Sequence, residues 1–247
     1  MGWPCAFLWR APPAVAHPLW EYALFLKKPA SGSWPRGAGR SRVARNGMQE
    51  TFQIHELSGP QLEPWLDALG GLRIRVFRDF PYLYDGTLEY ERDYLRTYLN
   101  AADSLVVIVT DAHGNLVGAT TCLPLSEEGP EFQSPFLEQG HDVGRILYFG
   151  ESVVLAEWRG RGLGKEFFVR REAHARRLGL KTAAFCAVDR PDDHPQRPPG
   201  YRPLDGFWQS RGYLKQAALQ ARFSWQEIGE ATESAKTLTF WLKSWRD

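Results

Sequence analysis

The sequence predicts an α/β fold of the mixed α+β kind, with a central mixed β-sheet of about seven strands and helices on both faces. Two observations support this prediction. Strand-like apolar runs alternate with helical periods from residue 51 onward, and 43% hydrophobic with 24% charged residues is an ordinary globular composition. The 247 residues suffice for one substantial domain with an appendage.

Local patterns predict the order of the elements. Seven apolar runs are typical of strands: "TFQIHEL", "SLVVIVT", "LVGATTCLPL", "RILYFGESVVL", "KTAAFCAV", "ALQARFSW" and "TLTFWLKSW". Helices are predicted from about Pro60 through "LDALGGLRIRVF", over "TLEYERDYLRTYLN" with Thr87 as N-cap, from Gly164 to Leu178, and in the short "LDGFWQSRG". The stretch "PEFQSPFLEQG" is predicted to be a short helix or a loop.

The first 47 residues differ from the rest of the chain. They carry seven Lys or Arg residues and one acid, whereas residues 48–247 carry 23 basic and 28 acidic residues. Prolines recur, and "ASGSWPRGAGRSRVARNG" has no helical or strand periodicity. We therefore predict that residues 1–47 are disordered, or are a gene-model extension ahead of translation from Met48, and that residues 48–247 form the domain.

Charge, cysteine usage and hydropathy restrict the function classes. A net charge of +1 offers no general basic field for nucleic acid. The three cysteines lie far apart and lack the spacing of metal ligands or of a disulfide framework. Arg10 and several prolines interrupt the apolar run near the start, so it cannot span a bilayer. We expect a cytoplasmic protein that binds no metal, nucleic acid or membrane.

The segment "WRGRGLGKE", Trp158–Glu166, places three glycines between a strand and the start of a helix. The first amides of a helix lack internal partners and lie at the positive end of its dipole, so such a segment suits an anion with several oxygens. The dinucleotide pattern G-x-G-x-x-G fails, because its third glycine would be Lys165 or Phe167. The triphosphate loop fails too, because Gly160 and Gly164 enclose three residues rather than four.

The remaining pattern is Arg159-x-x-Gly162-x-Gly164. On these residues the sequence resembles the GCN5-related N-acetyltransferase (GNAT) superfamily, whose members bind acetyl-CoA. The segment "VVLAEWRGRGLGKEFFVRREAHARRLG" is similar to the strand, loop and helix of that family, and "FWQSRGY" is similar to its later aromatic segment. The resemblance implies a GNAT-like domain whose motif-specific parts are residues 147–180 and 204–214.

The resemblance implies acetyl-CoA as co-substrate and no metal. Loop amides would bind the pyrophosphate, and amides of the preceding strand, which parts from its neighbour in this family, would bind the pantetheine and the thioester carbonyl. The expected CoA contacts are Val153, Val154, Leu155, Arg159, Gly160, Arg161, Gly162, Leu163, Gly164, Lys165 and Trp208.

The candidate catalytic residues are Glu151, Tyr201 and Tyr213. Glu151 precedes the expected carbonyl site, so its carboxylate could accept the amine proton or merely orient the substrate. Strict strand alternation puts Glu151 on the face opposite Tyr148 and Ser152 unless a bulge intervenes.

The general acid departs from the family pattern. Trp208 stands where the family usually has a tyrosine, and an indole cannot give up a proton at useful pH. Tyr201 or Tyr213 could act instead, or the thiolate could leave unaided.

Residues outside the CoA motif must bind the acceptor. Two polar stretches, "RIRVFRDFPYLYDG" and "DRPDDHPQRPPGYRP", are candidates, since loops on a rigid sheet usually carry specificity. The substrate-binding candidates are Arg75, Arg78, Tyr82, Tyr84, Asp85, Asp189 and His194, with solvated loop charge as the alternative interpretation.

The resemblance therefore implies an acetyl-CoA-dependent N-acetyltransferase that moves an acyl group to a primary amine of a small molecule or peptide. One alternative, suggested by Trp208, is a non-catalytic acyl-CoA-binding sensor or regulatory module. Another is an acyltransferase similar to acyl-homoserine-lactone synthases, suggested by "RIRVF" on an early helix. Homodimerisation is left open.

Overall fold

The computed structural model describes residues 51–245, and the segment 1–47 with its predicted disorder or extension lies outside them. The strands are β1 Gln53–Leu57, β2 Leu105–Thr110, β3 Leu116–Pro124, β4 Ile146–Val154, β5 Thr182–Val188, β6 Leu214–Trp225 and β7 Ser234–Ser244. The helices are α1 Leu66–Phe77, α2 Leu88–Asn100, α3 Pro130–Glu138, α4 Leu163–Arg177 and α5 Asp205–Ser210. Each predicted strand and helix is thereby confirmed.

All seven strands belong to one sheet in the order β1-β2-β3-β4-β5-β7-β6. Neighbouring strands are antiparallel except β4 and β5, which are parallel. Parallel neighbours need a crossover, and α4 provides it between β4 and β5. The predicted mixed sheet is confirmed.

Helices cover both faces of the sheet. On one face, Phe168 of α4 packs against Phe149 of β4, with ring centroids 6.0 Å apart. On the other face, α1 and α2 bring Arg73 and Tyr94 to Glu151 of the same strand. Strand β2, the neighbour of edge strand β1, is consequently buried along its whole length, as its continuous run "LVVIVT" suggests. None of the helices within residues 51–245 combines the length and apolar content of a membrane span.

Local chemistry sets the ends of several elements. The Thr87 hydroxyl caps α2 by accepting a hydrogen bond from the amide of Tyr90 at 3.3 Å. Gly114, at φ +84°, closes the turn between β2 and β3. The stretch predicted as either helix or loop forms α3, which begins at Pro130, where a missing amide hydrogen costs nothing.

Candidate active site

The central strands β4 and β5 part from each other and open the sheet. They pair only where Ile146–Tyr148 faces Thr182–Ala184, and beyond these residues no ladder joins them. A cavity of about 1180 Å³ begins at this point and is lined by Phe149 and Phe185, the next residue of each strand. Backbone groups of both strands are therefore left without a neighbour in the sheet, beside a space large enough for a ligand.

A bulge in β4 sets the orientation of the side chains at this opening. Thr120 pairs with Ser152 and Cys122 with Phe149, so Gly150 and Glu151 together face one residue of β3. The Ser152 hydroxyl lies 2.9 Å from that of Thr120, on the α4 face. Strict alternation is therefore wrong here, because the extra residue puts Glu151 on the face of Tyr148 and Ser152 on the opposite face.

Gly150 permits a close approach at the bulge. A Cβ there would lie 2.0 Å from the Tyr98 hydroxyl oxygen and 2.5 Å from the Thr121 hydroxyl oxygen. The Thr121 oxygen in turn accepts the amide hydrogen of Glu151 at 3.2 Å. Tight packing of α2 and β3 around the glycine thus holds the bulge and the residue that follows it.

Glu151 lines the cavity and belongs to a buried ionic network. Arg73 lies between two carboxylates: its Nη1 is 2.5 Å from Glu151 Oε2, and its Nε donates to Glu91. The Tyr94 hydroxyl donates to the same Glu151 oxygen at 3.2 Å. Burial alone would lower the pKa of Arg73, but Glu151, Tyr94 and Glu91 hold that pKa well above its ordinary value. Burial also raises the pKa of Tyr94, which keeps its hydroxyl a donor.

The glycine segment forms the wall of the cavity at the start of α4. Gly162 is the N-cap of α4 at φ +86°, where glycine avoids strain, and no side chain caps the helix. A Cβ at Gly160 or Gly162 would meet nothing within 4 Å, so the loop faces open space. Open glycines and uncapped amides at the positive end of a helix suit a diphosphate.

Seven of the expected CoA contacts line the cavity, namely Val154, Arg159, Gly160, Gly162, Leu163, Gly164 and Trp208. Arg159 donates to the carbonyl of Val154 at 3.1 Å, so the chain itself holds this guanidinium against β4. Val153, Leu155, Arg161 and Lys165 are not among the lining residues, and the side chains of Val153 and Leu155 are buried in the core.

Two of the three catalytic candidates line the cavity, and the third does not. Glu151 and Tyr201 line the cavity, and burial raises the pKa of Tyr201 above its ordinary value. Tyr213 is fully buried, its hydroxyl donates to Glu172 at 3.2 Å, and burial raises its pKa. Trp208 is half-buried, with its ring centroid 5.1 Å from that of Phe185.

Among the acceptor candidates, Tyr82 and Asp189 line the cavity, whereas Arg75, Arg78, Tyr84, Asp85 and His194 are not among the lining residues. Arg75 pairs with Glu157, and Arg78 pairs with Asp85, both at exposed positions. His194 lies behind Phe80, a lining residue, with ring centroids 5.5 Å apart. The described residues 51–245 contain no cluster of three His, Cys, Asp or Glu that could hold a metal ion.

Sequence reasoning missed several residues of this site, above all Arg73, Glu91 and Arg190. Glu91 lies at helical spacing with buried Leu95 and Tyr98, and an acid within an apolar stripe of α2 was a signal that could have revealed the network. Arg190 donates to the carbonyl of Pro81 and pairs with Glu227, which ties the rim of the cavity to the turn between β6 and β7.

Comparisons with known proteins agree with this geometry. The family model of the acetyltransferase (GNAT) family matches residues 72–197, half of the chain. Among solved structures, a candidate acetyltransferase from Acinetobacter baylyi ADP1 is similar with a TM-score of 0.54 at 11% sequence identity. That similarity covers 81% of this chain and 95% of the other.

Two further solved structures have TM-scores of 0.50. Ribosomal-protein-alanine N-acetyltransferase from Brucella melitensis is 15% identical, with 78% of this chain and 99% of that one covered. A protein from Pyrococcus horikoshii OT3 is 12% identical, with 79% and 99% covered. These likenesses show a shared fold, and no curated protein sequence matches the chain. The family match across half of its length shows that the chain belongs to the acetyltransferase (GNAT) family.

Proposed function

We propose that the protein transfers the acetyl group of acetyl-CoA to a primary amine of a small-molecule or peptide acceptor. One observation carries the proposal. The parted strands β4 and β5 and the uncapped glycine start of α4 open onto the same cavity. A ligand with a diphosphate at one end and a reactive group at the other can reach both features.

The residues present fit acetyl-CoA. The amides at Gly162–Lys165 and the side chain of Arg159 would bind the pyrophosphate. Free backbone groups of β4 after the bulge would bind the pantetheine and the thioester carbonyl. When bound, acetyl-CoA supplies an activated acyl group, and the cavity holds that group near the acceptor, which can account for several kcal/mol of the acceleration.

The chain's own groups would move the proton. Glu151 lies in the bulge at the cavity wall, fixed by Arg73 and Tyr94, and we assign it the role of accepting the amine proton. Tyr82 and Asp189, which also line the cavity, would bind the acceptor. Tyr201 is the tyrosine among the catalytic candidates that reaches the cavity, and its hydroxyl could donate a hydrogen bond there.

Substitution of the glycine at the start of α4 tests the proposal. In Gly162→Asp a carboxylate occupies the space of the pyrophosphate, so we expect acetyl-CoA affinity to fall about a hundredfold or more through charge repulsion and lost amide contacts. Calorimetry with acetyl-CoA and release of free thiol with an amine panel are the measurements.

Gly114→Asp is the matched control, because Gly114 has φ +84° and equally open surroundings but lies in the β2–β3 turn. Equal affinity in the two variants contradicts the assignment of the loop. Tight binding by the wild type with no thiol release for any amine contradicts transfer and favours an acyl-CoA sensor.

A further inference from the structure

We propose that Arg171 of α4 is a catalytic residue that stabilises the negative charge on the departing CoA sulfur. This inference rests on the acyl transfer proposed above. The CoA thiolate would be stabilised by a fixed cation and would not need a proton from a general acid.

Arg171 is a buried cation without an acidic partner. The residue is 2% exposed, yet it lines the cavity. Within residues 51–245 no carboxylate forms an ion pair with it, and its Nε has no hydrogen-bond partner. Two other arginines near this site that have largely buried side chains differ, since Arg73 pairs with Glu91 and Glu151 and Arg190 pairs with Glu227. A buried charge without a counter-ion is costly, and a ligand that brings an anion would offset that cost.

The position of the guanidinium matches the reacting end of the ligand rather than its diphosphate. The Arg171 carbon Cζ lies 4.1 Å from the ring centroid of Phe149, the first β4 residue beyond the paired segment. Its Nη1 donates to the carbonyl of Glu151 in the bulge at 3.4 Å. The eight-residue separation from Leu163 places Arg171 about 12 Å along α4 from the helix start. The cation therefore lies where the strands part, far from the glycines.

Arg171 carries a positive charge that the titratable groups around it do not neutralise. Burial lowers the pKa of Arg171 to about 10, so the guanidinium is protonated at neutral pH. The titratable groups that act on it are Cys122 of β3, Tyr213 before β6, Glu151 of β4 and Tyr98 of α2. Burial raises the pKa of Cys122 to about 12 and raises those of Tyr213 and Tyr98, so these three are neutral. The carboxylate of Glu151 is already paired with Arg73.

The transfer step balances without an acid. The amine nitrogen bonds to the thioester carbon, the carbon–sulfur bond breaks, and its electron pair stays on sulfur. The amine proton goes to Glu151, and the thiolate remains unprotonated beside the guanidinium. Trp208 also lines the cavity, but its indole can donate only a hydrogen bond and not a proton. The thiolate therefore stays unprotonated beside Trp208 as well.

Titration of bound CoA thiol tests the inference directly. An adjacent cation lowers the pKa of a thiol, so wild-type protein should lower that of bound CoA by about one unit or more relative to free CoA. The thiolate is followed by ultraviolet difference absorbance against protein without CoA. In Arg171→Met the bound thiol should titrate near its free value, and Arg171→Lys should keep much of the shift.

Arg170→Met is the matched control, because Arg170 is the neighbouring residue on α4 but pairs with Glu56 and Glu166. It should retain the wild-type thiol pKa. Thermal unfolding and CoA affinity show that each variant is folded. For acetyl transfer, Arg171→Met should reduce kcat about a hundredfold, and affinity for acetyl-CoA should change far less.

Three results would overturn the inference: an unshifted thiol pKa in the wild type, a shift retained in Arg171→Met, or a loss limited to donors whose acyl group carries a carboxylate. The last would make Arg171 a binding site for that carboxylate. The titration needs CoA binding alone. A wild type that shifts the thiol pKa but transfers nothing would refute the proposed function and leave the contact between Arg171 and sulfur standing.

Discussion

At the residue scale, Glu151 depends on Arg73 for its position. One buried guanidinium pairs with two carboxylates, from α2 and β4, and lies over the ring of Tyr94 with its Cζ 4.2 Å from the centroid. Removing one partner from such a network leaves an uncompensated charge, which usually costs several kcal/mol. The network therefore holds the carboxylate in one orientation at the cavity wall, as a proton acceptor requires.

Replacing Glu151 by glutamine should reveal a base. We expect Glu151→Gln to lower kcat by about a hundredfold or more. The loss should be largest at low pH, where the amine still carries its proton, and should shrink as pH rises and neutral amine becomes abundant. The pH–rate profile of kcat/KM is the measurement. Acetyl-CoA affinity should stay close to that of the wild type.

Glu157→Gln is the control for this change of charge, because Glu157 is exposed and pairs with Arg75 outside the cavity. It should leave the profile unaltered. A ratio of Glu151→Gln to wild-type rates that is constant with pH would contradict the base and leave Glu151 an orienting residue.

The sequence indicated Glu151 but not the residue that holds it. Glu151 could be predicted, because it lies on a strand just before the glycine segment. Arg73 and Glu91 belong to two helices that are far from Glu151 in the sequence, and no local pattern shows that their side chains meet. Only the packing of α1 on α2 brings them together, so the pair could not be predicted from spacing within either helix.

At the element scale, the bulge in β4 determines the face of the sheet on which Glu151 and Ser152 lie. The sequence predicted the strand and the start of α4, because apolar runs and glycine punctuation are local signals. The bulge could not be predicted, since it follows from how Tyr98 of α2 and Thr121 of β3 pack around Gly150. A single extra residue moves Glu151 to the face covered by α1 and α2, and Ser152 to the face covered by α4.

A methyl group at Gly150 should disturb the bulge. In Gly150→Ala the new Cβ would lie 2.0 Å from the Tyr98 hydroxyl oxygen, so side chains must shift, and we expect a loss of about 1–3 kcal/mol in the free energy of unfolding. Adding Tyr98→Phe removes that oxygen and should recover part of the loss. Urea unfolding of the two variants, with Tyr98→Phe alone as reference, measures this coupling.

Gly206→Ala is the matched control for the bulge, because Gly206 lies in α5 and a Cβ there would meet nothing within 4 Å. Alanine favours a helix over glycine, so stability there should stay equal or rise slightly. Equal effects at Gly150 and Gly206 would contradict the packing argument.

At the scale of the whole molecule, the number and type of elements were predictable and the cavity was not. Each element has its own periodicity, so the seven strands and four of the five helices within residues 51–245 could be predicted one at a time, whereas the stretch that forms α3 was predicted to be either a helix or a loop. The cavity is lined by residues of α1, β4, α4, β5 and α5, and of the loops that follow α1, β4 and β5. Tyr82 and Asp189 face the same space only because β5 parts from β4, which is a property of the assembled sheet.

Stability of the whole domain should depend on pH through Glu128. This residue is buried, its Oε1 has no hydrogen-bond partner, and burial raises its pKa from 4.5 to about 7. Below pH 4.5 the carboxyl is protonated in both folded and unfolded chains and costs nothing. Between pH 4.5 and 7 the unfolded chain loses its proton first, so stability falls, and above pH 7 the full cost of about 3 kcal/mol applies.

Glu128→Gln should therefore stabilise the protein by up to about 3 kcal/mol at pH 8 and change little at pH 5, because glutamine is neutral throughout. Urea unfolding at the two pH values measures the difference. Glu138→Gln, at an exposed position of α3, removes a carboxylate without relieving burial and should show no such dependence. A gain from Glu128→Gln that is the same at both pH values would mean that improved packing, rather than relief of a buried negative charge, is the cause.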